Sequence, residues 1–256
     1  MSKQLWRRKF AVMATAVATA ILSNASTAEA TTVLYVPQDD RPVSLAYTVA
    51  TAQEAGYTVL TPPQYYISGR NFQGNAEAMW RWVDENVNKA DVLVLSTDSL
   101  IYGGLVDSRK HNLDLHTLEY RVRHIEDLHK KYPNVPIYAF GTVMRSPRAS
   151  GGGVEPAYYD QYGPTIFRIA ALQDKLDSQK LTPDEQKELF MLQATVPVEF
   201  LQDWFHRRQK NMEINRQLID ITKKGVFKYF ALGHDDTSSL SQSAMEGRYL
   251  KKYSKG

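Results

Sequence analysis

The chain has 256 residues, with 31 Lys and Arg against 28 Asp and Glu, and no cysteine. An apolar content of 43% beside 23% charged residues is enough to build a core, which excludes wholesale disorder. The absence of cysteine excludes a disulfide framework, a thiolate metal site, an iron–sulfur cluster and a cysteine nucleophile.

Residues 1–30 read as a signal peptide. Lys3, Arg7, Arg8 and Lys9 give a positive start, Phe10 to Leu22 is an apolar run, and Ala28-Glu29-Ala30 is an A-x-A-like cleavage site. The run is shorter than the ~20 residues a spanning helix needs, so no stable membrane span is expected in the mature chain. Arg7-Arg8-Lys9-Phe10 fits the R-R-x-F pattern of twin-arginine leaders, although Trp6 stands where Ser or Thr is usual. The expected destination is periplasmic or extracellular. Removing the leader leaves 27 basic and 27 acidic residues, so the formal net charge of +3 belongs to the leader. It says nothing of an anionic partner, and without a basic stripe interleaved with aromatics no nucleic-acid partner is expected.

In the mature chain, Thr32 to Val36 is a β-branched run closed by Pro37, and predicts a buried strand. Ser44 to Ala55 has helical spacing and stops at Gly56. Tyr57 to Leu60 predicts a second strand ending before Pro62-Pro63. Asn75 to Val87 predicts a helix whose shared face (Met79, Trp82, Val83, Asn86) reads as core. Asp91 to Leu95 is an unbroken apolar strand of the kind that parallel sheets bury on both faces. Leu115 to Tyr132 predicts an amphipathic helix, Pro136 to Phe140 a fourth strand, and Phe227 to Leu232 a fifth. Strand–helix alternation predicts an α/β fold with a parallel sheet of about five strands, doubly wound or, alternatively, part of a βα-barrel.

Ser146 to Gly225 is too long for a loop. It opens on the hinge-like Ser150-Gly151-Gly152-Gly153, and three helices are expected in it: Pro164 to Ser178, one capped at Thr182-Pro183-Asp184-Glu185, and Pro197 to Lys223. The predicted organisation is a signal peptide (1–30), the first part of an α/β core (31–147), a helical subdomain or lid (148–225), and the last strand with a C-terminal segment of the core (226–256).

In parallel sheets ligands bind beyond the carboxyl ends of the strands, so the residues that follow each strand are the candidates. Asp39, Asp40 and Arg41 follow the first strand. Asp98, Tyr102, Gly103, Gly104 and Arg109 follow the third, Arg145 the fourth, and His234, Asp235 and Asp236 the fifth. Carboxylates held together shift one another's pKa and so supply an acid and a base, or bind a hard divalent cation. Asp39, Asp40, Asp98, His234, Asp235 and Asp236 are therefore the candidate catalytic groups. Arg41, Tyr102, Gly103, Gly104, Arg109 and Arg145 are candidates for substrate binding. Helix capping by the aspartates and structural ion pairing by the arginines are the bland alternatives. No G-x-G-x-x-G, P-loop or G-x-S-x-G occurs. His111, His116, His124 and His129 read as surface residues, and His206-Arg207-Arg208 as a solvated basic face.

Val36-Pro37-Gln38-Asp39-Asp40-Arg41-Pro42-Val43 and Ile101-Tyr102-Gly103-Gly104-Leu105-Val106-Asp107-Ser108-Arg109 resemble hallmark segments of a bacterial family of unknown function, domain of unknown function 4127. Leu60-Thr61-Pro62-Pro63, Met144-Arg145 and His234-Asp235-Asp236 fit its pattern as well, and the resemblance runs from about Thr32 to the C-terminus. Gln38 stands where that pattern commonly has Leu. Family members are typically about twice as long, so the chain resembles their N-terminal half. The resemblance implies no activity. The function expected from the residues is an exported hydrolase with an acidic cleft for a carbohydrate-like or other polar substrate. The alternatives are a divalent-metal-dependent phosphoester hydrolase, and a non-catalytic glycan- or solute-binding module or inactive truncated family member.

Overall fold

A computed structural model describes residues 30–149, 152–235 and 238–256. Nearly all of the expected leader, residues 1–29, lies outside these. The unit from Thr31 to Gly256 contains all the elements described below.

Five strands form one parallel sheet: β1 (Thr32–Val36), β2 (Thr58–Leu60), β3 (Val92–Ser96), β4 (Ile137–Val143) and β5 (Tyr229–His234). Their spatial order is β2-β1-β3-β4-β5. The order reverses at β1, which lies between β2 and β3, whereas in a βα-barrel successive strands are neighbours throughout. Each expected strand is present, but the ends differ. β4 and β5 each run further toward their carboxyl ends than apolar content suggests, because Gly141, Thr142, Gly233 and His234 pair in register.

Register and pleat place Leu34, Leu93, Leu95, Ile137 and Ala139 on one face. Three crossover helices cover it: α2 (Ala76–Asn86) with Met79 and Val83, α5 (Leu115–Lys131) with Leu118, Val122 and Ile125, and α8 (Val198–Lys223) with Ile214, Leu218 and Ile221. The other face is barer. Val33, Val92 and Val94 are half-buried and Tyr138 and Tyr229 are exposed, while α1 (Ala46–Glu54) buries none of its side chains. Cover on both faces, as read from the strand pattern, thus holds fully for one. On α2 it is Trp80 that is buried, donating its indole N–H to Leu100 O at 2.9 Å, while Trp82 is half-buried.

The segment after β3 is helical. α3 (Thr97–Tyr102) and α4 (Leu105–Lys110) meet at Gly103, whose φ of 109° is a conformation that favours glycine. The later segment holds α6 (Tyr159–Ser178), α7 (Pro183–Thr195) and α8, with the Thr182–Glu185 capping box present on α7. Tyr159, Ile166, Ile169, Ala170, Val196 and Trp204 form a second cluster with Met144. α8 belongs to both cores: Trp204 packs in the second and Ile214 onward in the first. The last helix is α9 (Gln242–Tyr253).

Two readings are corrected by burial. Arg207 and Arg208 are 3% and 1% exposed, so only His206 in that triplet faces solvent. Each arginine carries its charge inward with a partner, Asp203 for Arg207 and Glu246 for Arg208. His111 is buried as well, its Nε2 2.8 Å from Asn211 Oδ1. Burial is the main influence that draws its pKa down to about 4, so the ring is neutral at neutral pH.

Candidate functional site at the carboxyl edge

The reversal of strand order between β1 and β3 opens a crevice beyond their carboxyl ends, the position where open parallel sheets hold ligands. A cavity of about 330 Å³ lies there. Asp39, Asp40 and Arg41 from the β1 end line it with Arg70, Arg109 from α4, Arg145 beyond β4 and Asp235 beyond β5. Four of the predicted strand-end segments therefore converge.

The charges in this cavity are largely matched. Arg41 donates from Nε to Asp39 Oδ2 at 2.9 Å and from its backbone N–H to Asp39 Oδ1 at 3.2 Å. Arg109 pairs with Asp235 through Nη2, and its Nη1 lies 3.5 Å from Glu155 Oε1. Arg145 donates from Nε to that same Glu155 oxygen at 2.7 Å. Burial pushes the Glu155 carboxyl up, opposed by Arg109 and Arg145. Asp40 differs from its neighbours. Its backbone N–H is held by Ser68 O at 2.9 Å, but among the described residues no hydrogen bond or ion pair reaches its carboxylate.

Asp98 does not line the cavity. It is 2% exposed beneath the edge, accepting from Gln38 Nε2 at 2.8 Å and from Thr142 Oγ1 at 3.0 Å. It thereby ties the ends of β1, β3 and β4 together. Burial raises its pKa to about 6, against the lowering effect of both hydrogen bonds. Gln38, the position where the family resemblance leads one to expect Leu, thus has a specific task in this chain.

Tyr102 sits elsewhere too. Its ring stacks on His111 with 5.0 Å between centroids, beside a separate cavity of about 420 Å³ that Asp107 also lines. Its hydroxyl is buried without a partner among the described residues, and burial pushes its pKa up further from the neutral range. His234 does not line the strand-end cavity. It packs on Gly247 and lines a cavity with Val143, Phe230 and Leu250. Asp236 lies outside the described residues.

Gly103-Gly104 serves close backbone approach. A Cβ on Gly104 would stand 1.7 Å from Ser68 Oγ, and one on Gly74 would stand 2.0 Å from Gly103 O. Asp107 closes the contact by accepting the Gly74 N–H at 3.0 Å. The two glycines thus clamp the 68–74 loop, which carries Arg70, against the β3 end. Gly104→Ala is expected to cost about 1–3 kcal/mol by overpacking this contact, read as a lower thermal midpoint. An unchanged midpoint would mean that the two loops part freely.

Arg70 and Glu155 escaped the strand-end reading. Arg70 follows no strand end directly, and Glu155 lies past the glycine stretch that reads as a hinge. A lone acid just after such a stretch, in a segment otherwise rich in arginine, was the available signal for Glu155. Among the described residues no group of three or more His, Asp or Glu side chains is placed to hold a metal ion.

Residues 33–256 match the family model described as protein of unknown function (DUF4127). No curated protein and no solved structure matches the chain.

Proposed function

The chain belongs to the DUF4127 family, a family of unknown function, and from the chemistry of its cleft we propose that it is an exported hydrolase acting on a polar, carbohydrate-like substrate. The observation that carries this reading is Asp40. Its carboxylate shares a cavity with the guanidinium groups of Arg41, Arg109 and Arg145 while lacking the ion pair that occupies Asp39 and Asp235. A carboxylate free of such a pair is available to take a proton from water. Guanidinium groups in the same cavity orient the substrate and stabilise negative charge that develops on oxygen as the bond breaks. Export rests on the leader read in residues 1–30.

Asp98 acts here as a positioning residue, since it holds Gln38 and Thr142 and does not itself line the cavity. The test is turnover of a panel of aryl glycosides and phosphate esters by the mature chain. Asp40→Asn should lower kcat/KM by about 10²-fold or more on whichever compound is cleaved. Undiminished turnover by that variant would remove Asp40 from the reaction. Saturable binding without turnover of any compound would favour a binding module instead.

A further inference from the structure

The guanidinium wall of the cleft has an unusual balance. Arg109 and Arg145 share one buried carboxylate, Glu155, whose side chain is 2% exposed. Both lean on its Oε1, and among the described residues Oε2 has no partner. Arg109 is itself 4% exposed, and its Nε is a buried donor with no partner among the described residues. Among the described residues the Arg145 guanidinium bonds only through Nε, and Arg145 lines the cavity. One internal anion behind two guanidiniums leaves a surplus positive charge on this wall.

Asp235 answers that charge. It comes from the end of β5, reaches Arg109 Nη2, and is 29% exposed, the more solvated of the two carboxylates on this wall. A solvated carboxylate regains water when it leaves, so an incoming carboxylate can take its place at small net cost, whereas Glu155 cannot be exchanged. The geometry that accepts an aspartate side chain accepts the same planar group on a ligand, with the Arg145 fork beside it to complete the recognition.

We propose that Asp235 is an internal stand-in for a substrate carboxylate: the cleft binds an acidic sugar or similar polar acid through Arg109 and Arg145, in competition with Asp235. This deepens the hydrolase reading of the same cleft by naming the substrate class, and it rests on that cleft being the ligand site.

The experiment measures calorimetric binding of D-glucuronate, D-glucose and inorganic phosphate to the mature chain and two variants. Asp235→Asn removes the competing charge and should bind glucuronate about five- to tenfold more tightly than the parent, with no gain for glucose. Arg145→Gln leaves the Arg109–Asp235 pair in place and should lose most of the glucuronate affinity, which keeps the idea testable if Asp235→Asn folds poorly. Equal or weaker glucuronate binding by Asp235→Asn, or an equal gain for glucose, would overturn the proposal. A larger gain for phosphate than for glucuronate would overturn the carboxylate assignment. Binding is read without turnover, so a chain that binds glucuronate in this pattern but cleaves nothing would leave this inference standing and sink the hydrolase reading.

Discussion

Arg208→Met is expected to destabilise the fold by about 3–5 kcal/mol, the cost of breaking one partner of a buried ion pair. Arg208 bonds Glu246 through both carboxylate oxygens, each at 2.7 Å, and donates to the carbonyls of Met144 and Arg145 at 2.6 and 2.8 Å. It also lies 4.7 Å over the Trp204 ring. One side chain thus fastens α8 and α9 to the end of β4, where Arg145 begins its reach into the cleft. Methionine fills much of the volume but leaves Glu246 charged and two carbonyls unpaired. Urea denaturation should show the midpoint fall without a change in slope, and pairing the variant with Glu246→Leu should recover a large part of the loss. A single-variant cost below about 1 kcal/mol would mean that water takes over the pair.

Asp98→Asn is expected to act in the opposite direction, raising stability by about 2–3 kcal/mol at neutral pH. Burial lifts the folded-state pKa of Asp98 from 3.8 to about 6, so the folded chain holds its proton more tightly than the unfolded chain does. The group is therefore least costly below pH 3.8, where both states are protonated. Stability falls as pH rises from 3.8 through about 6, and the full penalty remains above that. Asparagine keeps an acceptor for Gln38 and Thr142 and carries no charge to desolvate. Its advantage should be present at neutral pH and vanish toward pH 3.8 in paired denaturation curves. A gain that is independent of pH would show that ionisation of Asp98 is not its source.

The order and type of the major elements were legible in the sequence because each rests on a short-range pattern. Thr32 to Val36 and Asp91 to Leu95 are continuous apolar runs, and Leu115 to Tyr132 repeats at helical spacing. The short helices after β3 were not legible. Thr97 to Lys110 has no apolar stripe of its own and folds as it does because Gly103 and Gly104 let it close on the 68–74 loop. Arg207, Arg208 and His111 misled for a related reason. Polar type suggests solvent, but partners distant in the chain, Asn211 for His111 and Glu246 for Arg208, make burial affordable.

For the candidate site, the strand pattern made it legible which segments meet. Parallel strands all end on one edge, so Asp39-Asp40-Arg41, Arg109, Arg145 and Asp235 had to gather there once the strands were recognised. What each group does depends on contacts that exist only in the folded chain. Asp40 and Asp98 are both aspartates just beyond strand ends, yet one lines the cavity with its carboxylate unpaired and the other lies beneath it, bonded to Gln38 and Thr142. His234 and Asp235 are neighbours in the chain, yet His234 closes β5 and packs on Gly247 while Asp235, one residue past the strand, lines the cavity. Strand ends follow from patterns a few residues long. Charge pairing and desolvation follow from contacts between residues as far apart as Arg109 and Asp235, and only the folded chain brings those together.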